Sequence, residues 1–85
     1  MKREEVLSKA AKAITGERDK RYGSPEDNFR RIADYWSVYL GEPITQTDVA
    51  MMMILLKVAR TVNDPTYDDN YIDIAGYAAC AGECK

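Results

Sequence analysis

The segment that most constrains the fold is Thr45 to Pro65, TQTDVAMMMILLKVARTVNDP. Thr45 and Asp48 are spaced as a capping box, so a helix opens there with two otherwise orphaned backbone N–H groups satisfied. Asn63-Asp64-Pro65 closes it, because proline cannot continue a helix and disfavours helical geometry at the residue before it. Between these signals the residues are apolar on every side, with Lys57 the first interruption after VAMMMILL. A helix of this kind lies at the centre of a bundle or in a subunit interface, and a four-helix chain allows both.

The rest of the chain is punctuated in the same style. Val6, Leu7, Ala10 and Ile14 recur at helical spacing from about Lys2 to Thr15, and Gly16 ends that segment. Ser24-Pro25-Glu26-Asp27 supplies an N-cap, a proline at the first helical position and an acid at the third. A helix therefore starts at Pro25 and carries Phe29, Ile32, Ala33, Trp36 and Leu40 on one face until Gly41, with Trp36 as a core anchor. A fourth runs from Tyr67 or Asp68 to about Glu83, and its Ala75, Gly76, Ala78, Ala79 and Gly82 admit a close helix neighbour. No segment alternates as a strand does. The sequence predicts one all-α domain over residues 1–85, a four-helix bundle-type or orthogonal arrangement with helices three and four as a central antiparallel hairpin.

At 85 residues with 46% hydrophobic content, a lone monomer has little stability to spare. The surplus of apolar residues between Val49 and Val62 predicts a homo-oligomer, a dimer or higher. Twelve basic and fourteen acidic residues are interspersed, for a net charge of -2, so no basic surface recommends nucleic acid as a partner. Histidine is absent, which removes the commonest general base near neutral pH and the commonest transition-metal ligand. Cys80 and Cys84, spaced C-x-x-x-C, fit neither a zinc knuckle nor a disulfide framework and are read as reduced thiols. The charged, amphipathic start is no secretory signal, and VAMMMILL is too short for a membrane span. The expected location is the cytoplasm.

Two charged clusters are candidate sites. Counted outward from the turn between helices three and four, Lys57 stands level with Asp73 and Arg60 level with Asp69. Structural ion pairing across the hairpin is one reading: Asp73 faces Lys57, and Asp69 lies nearer Arg60 and solvent. In the other, Asp69 and Asp73 share a helix face and hold one Mg2+ whose octahedron is completed by phosphate oxygens and water, with Lys57 and Arg60 on the phosphates. The second cluster, ERDKRYGSPEDN, brings Arg18, Lys20 and Arg21 before a helix N-terminus, an anion site or a solvated loop with a cap. Asn28, one turn inside that helix, could read a base edge or hydrogen-bond the loop. Tyr35, Tyr39, Tyr71 and Tyr77 are read as core or interface residues rather than stacking platforms.

The blocks RDKRYGSPEDNFRRIADYW, DVAMMMILLKVAR and DNYIDIAGYA together resemble a small domain family of uncharacterised function common in phages and prophages, over about Ile14 to Ala79. That resemblance implies a phage or prophage gene expressed in a bacterial host. NYIDIAGYA also resembles, in shape, the later acidic motif of the MazG-like all-α nucleoside triphosphate pyrophosphohydrolases, E-x-x-D followed by apolar residues and an aromatic. Asp73 matches the aspartate and Asn70 takes the glutamate's place, which would make Asn70 a ligand contact. The likeness implies nucleoside triphosphate as ligand and Mg2+ as cofactor. The chain departs from that pattern in its earlier helix, where several glutamates are metal ligands and VAMMMILLKVAR has none, Lys57 standing among those positions. Two functions follow: a nucleotide-binding protein with a reduced metal site, or a non-catalytic homo-oligomeric accessory module that contacts a host or phage protein through the loop from Gly16 to Ser24.

Overall fold

The computed structural model describes residues 1–16, 21 and 23–84. Four helices organise these residues: α1 (Arg3–Ile14), α2 (Pro25–Leu40), α3 (Gln46–Asn63) and α4 (Asp68–Glu83). No strand occurs among the described residues, and the fold is all-α as the sequence predicts. The caps form as written. Ser24 accepts from the Asp27 N–H at 3.2 Å with Pro25 behind it. Thr45 and Asp48 close a reciprocal capping box at 3.0 and 2.9 Å. Gly41 ends α2 at φ +69°, a left-handed conformation that lets its N–H reach the Ser37 carbonyl and that a Cβ would strain.

The connection after Gly41 folds back along α2. Ser37 Oγ donates to the Ala33 carbonyl at 2.7 Å and accepts from the Ile44 N–H at 2.8 Å, so one hydroxyl fixes the loop on the helix. Gln46 Nε2 reaches the Glu26 carbonyl at 2.7 Å, tying the start of α3 to the start of α2.

The core is small, as the chain length requires. Phe29, Ala33, Val49, Ala50, Cys80 and Cys84 are buried together, with Ile14, Ile32, Trp36, Ile44, Met53 and Tyr77 packed around them. The Phe29 and Tyr77 rings meet at 6.3 Å and 31°. Trp36 is thus a flanking member of the core, half-buried, and not its centre. The element in contact with all three others is α4, and its most extensive packing is against α3, the antiparallel hairpin expected from the short turn. Small residues make this possible: a Cβ on Gly76 would stand 3.0 Å from Ile14 Cγ2, so α1 approaches α4 about as closely as a glycine allows.

Of the two places expected for the apolar α3, the centre of the bundle accounts for only part of its surface. Val49 and Ala50 near its start are buried, but Met51, Met52, Leu55, Val58 and Val62 are exposed. Its main packing is against α4 and α2, and two neighbours leave its outer face uncovered within the chain. Tyr35 and Tyr39 point outward as well, and only Tyr77 among the four helical tyrosines joins the core. None of the described helices is long and apolar enough to cross a membrane.

Candidate functional site at the mouth of the hairpin

The turn between α3 and α4 is held by its own side chains. Asp64 Oδ1 accepts from the Thr66 N–H at 3.1 Å and from Thr66 Oγ1 at 2.7 Å, and Tyr71 Oη donates to the Pro65 carbonyl at 2.7 Å. Proline stops α3, the aspartate organises the following backbone, and α4 returns with Asp68 and Asp69 in its first turn, where carboxylates suit the positive end of the helix dipole.

Behind this turn lies an open polar groove of about 460 Å³, lined by Lys57, Arg60, Asn63, Asp64, Tyr67, Asp69, Asn70 and Asp73. Five of the residues singled out from the sequence, Lys57, Arg60, Asp69, Asn70 and Asp73, therefore come together on one surface. Lys57 Nζ and Asp73 Oδ2 form an ion pair at 2.7 Å, as equal rise from the turn predicts. The Lys57 side chain is 14% exposed and that of Asp73 37%.

The second pair is corrected by the structure. No Arg60–Asp69 ion pair forms. Asp69, exposed as expected, accepts a hydrogen bond from Tyr67 Oη at 3.0 Å instead. The phenol stands two residues away in the same turn and reaches the carboxylate locally. Its proton is held more tightly in consequence: the hydrogen bond to Asp69 and that residue's charge raise the Tyr67 hydroxyl above the ordinary tyrosine value. Arg60 is left as an exposed guanidinium with no anionic partner among the described residues.

Asn70 is the most unusual member. It is 4% exposed, and its side-chain amide makes no hydrogen bond although its backbone N–H is engaged with the Tyr67 carbonyl at 3.2 Å. No fully enclosed side-chain nitrogen or oxygen is unsatisfied among the described residues, so the amide keeps its remaining solvent contact, on the groove it lines.

Among the described residues there is no group of three or more acidic or cysteine side chains that could hold a metal. Asp69 and Asp73 stand one turn apart on α4, each with one carboxylate oxygen already engaged, by Tyr67 and by Lys57 respectively, and two carboxylates do not make a resident all-protein cage. The other cluster is dispersed. Arg18, Lys20 and Tyr22 lie outside the described residues. Arg21 is exposed and lines neither cavity. Asn28 lines a separate small cavity of about 60 Å³ with Ile14, Phe29, Gly76, Tyr77 and Asp73, so Asp73 borders both spaces. Tyr67 and Asn63, which the sequence reading missed as site residues, flank the turn; their positions on either side of Asp64-Pro65 were the available signal.

With this geometry in hand, the chain can be placed. Residues 5–85 match the domain of unknown function DUF6378. The chain belongs to this family. Similar proteins include the Gene 55 protein of Mycobacterium phage D29, 46% identical over 91% of this chain and 51% of the relative. The Gene 55 protein of Mycobacterium phage L5 is 45% identical over 86% of this chain and 47% of the relative. DUF6378 thus includes phage-encoded members, in agreement with the phage resemblance of the sequence blocks. The chain spans about half the length of these curated relatives. No solved structure matches it.

Proposed function

We propose that the hairpin groove binds the phosphates of a small phosphorylated ligand of the nucleotide class. The observation that carries this reading is the conjunction, on one groove, of the Arg60 guanidinium, with no anionic partner among the described residues, and the Asn70 amide, held in place on a largely buried residue and open to the groove. Arg60 supplies a planar fork of donors suited to phosphate oxygens. Asn70 supplies two further donors and an acceptor in a fixed place. Lys57 adds a point charge once an anionic ligand competes with Asp73 for it. A Mg2+ carried in by the phosphates would be held by Asp69 and Asp73, and would offset the repulsion between those carboxylates and the ligand. The relation to MazG-like pyrophosphohydrolases rests on the shape of NYIDIAGYA, with Asn70 where that motif has a glutamate; with a donor amide there and Lys57 on the facing helix, the groove is built for binding phosphate, and hydrolysis is not part of the proposal.

A different observation favours a second reading, a non-catalytic homo-oligomeric accessory module of a phage or prophage acting in the host cytoplasm: the uncovered apolar face of α3. The two are separated by calorimetric titration of wild-type protein with nucleoside triphosphates, with and without Mg2+. Saturable binding that Arg60→Ala and Asn70→Ala each weaken at least tenfold supports the groove; no binding at millimolar ligand leaves the accessory reading.

A further inference from the structure

The outer face of α3 carries Met51, Leu55, Val58 and Val62, spaced four, three and four residues apart. This is the alternation of a coiled-coil seam, which keeps one apolar stripe facing a partner helix along its length. All four are exposed, Leu55 at 64% and Val62 at 84%, and Met52 lies alongside at 41%. The buried residues of the same helix, Val49 and Ala50, face the core, and the two charged residues of its second half, Lys57 and Arg60, both line the groove. The stripe itself therefore bears no charge from Met51 to Val62.

The geometry points to a second copy of this chain as the occupant, paired through α3 about a twofold axis with the two helices antiparallel. An uncharged stripe of heptad spacing is complementary to itself, and an isologous dimer asks that of its surface. Antiparallel pairing about the midpoint between Leu56 and Lys57 sets Leu55 against Val58 of the partner subunit and Met51 against Val62 of the partner subunit, a large side chain facing a β-branched one in each layer. It also separates the two copies of Asp48, which lies three residues before Met51 on the same stripe; parallel pairing would bring them together. The five side chains on and beside the stripe, 41–84% exposed, offer roughly 150–350 Å² at the usual area equivalence, a small contact beside the ~800 Å² per partner of a standard interface.

Sedimentation equilibrium at micromolar concentration tests the proposal. Wild type is expected at twice the chain mass of 9.6 kDa. Leu55→Asp and Val62→Asp, each at a position exposed in the folded chain, are expected at 9.6 kDa with unchanged helical circular dichroism. A monomeric wild type overturns the dimer, and dimers that survive both substitutions overturn the seam. Orientation is read by disulfide trapping: the double variant Met51→Cys/Val62→Cys should cross-link under oxidation, while Met51→Cys alone should not, since antiparallel pairing holds the two copies of residue 51 about 16 Å apart along the axis. Cross-linking by Met51→Cys alone would overturn the antiparallel arrangement. None of these outcomes depends on nucleotide binding.

Discussion

Replacing Asp73 by asparagine removes one charge from the pair that spans the hairpin and leaves its shape intact. The partners meet at 2.7 Å, with Lys57 largely covered and Asp73 about a third exposed. Exposed pairs contribute about 0.2–1 kcal/mol, and breaking a fully buried pair costs about 3–5 kcal/mol because the survivor is stranded. This pair lies between. The asparagine carbonyl still accepts from the ammonium, so the expected loss is about 1–2 kcal/mol. In a domain of this size each kcal/mol moves Tm by about 4–8 °C, so Asp73→Asn should lower it by about 5–15 °C, measured on ligand-free protein without Mg2+. Lys57→Met in the same background should recover most of the loss, giving a coupling of about 1 kcal/mol in the double-mutant cycle. Asp73→Asn with unchanged or raised Tm would refute the reasoning. It would mean that repulsion between Asp73 and Asp69 outweighs the attraction of Lys57, as in a carboxylate pair kept for a metal.

Other expectations follow from single contacts. Gly76→Ala should gain helix propensity but force Ile14 Cγ2 outward from 3.0 Å, for a net loss of about 1 kcal/mol by denaturant unfolding; Ile14→Leu, which lacks that methyl, should restore it. Because the Tyr67 hydroxyl is raised by Asp69, its hydrogen bond contributes stability that is fully present below the ordinary tyrosine pKa and lost as pH rises through the raised value. Spectrophotometric titration should find one tyrosine ionising late, and Asp69→Asn should return it toward the ordinary range. Burial pushes the Cys84 thiol up, with Glu26, Cys80 and Glu83 adding to the effect, so a thiol reagent at pH 7 should label Cys84 in the folded protein more slowly than in the unfolded chain, the difference falling with any fraying of the end of α4.

The fold was legible because α2 and α3 carry their own capped starts and stops, while α1 and α4, which begin without a side-chain cap, are marked by apolar spacing and by the turns beside them. Ser24-Pro25, Thr45 with Asp48, Gly41 and Asp64-Pro65 are local signals, and local hydrogen bonds decide them. The Lys57–Asp73 pair was legible for a similar reason, since two helices joined by a short turn run at equal rise and register follows from counting. What counting misses is competition from nearby groups. Arg60 and Asp69 stand at matching heights, yet the Tyr67 phenol, two residues from Asp69, claims that carboxylate. Nor does an apolar helix announce which of its faces its own chain will cover. Val49 and Ala50 are buried while Leu55 and Val62 are exposed, and that division depends on where α1 and α2 settle. The burial of Asn70, the one polar residue among the buried described residues, is tertiary in origin as well.

The central claim is that the hairpin groove takes up phosphate through Arg60 and Asn70. Isothermal titration of the protein with inorganic triphosphate and with nucleoside triphosphates, in the presence of Mg2+, tests it most directly when wild type, Arg60→Ala and Asn70→Ala are run side by side. The account predicts one binding event per chain in wild type, at least tenfold weaker in either variant, with both variants as helical as wild type. Binding that is absent at millimolar ligand, or equally tight in all three proteins, would contradict it.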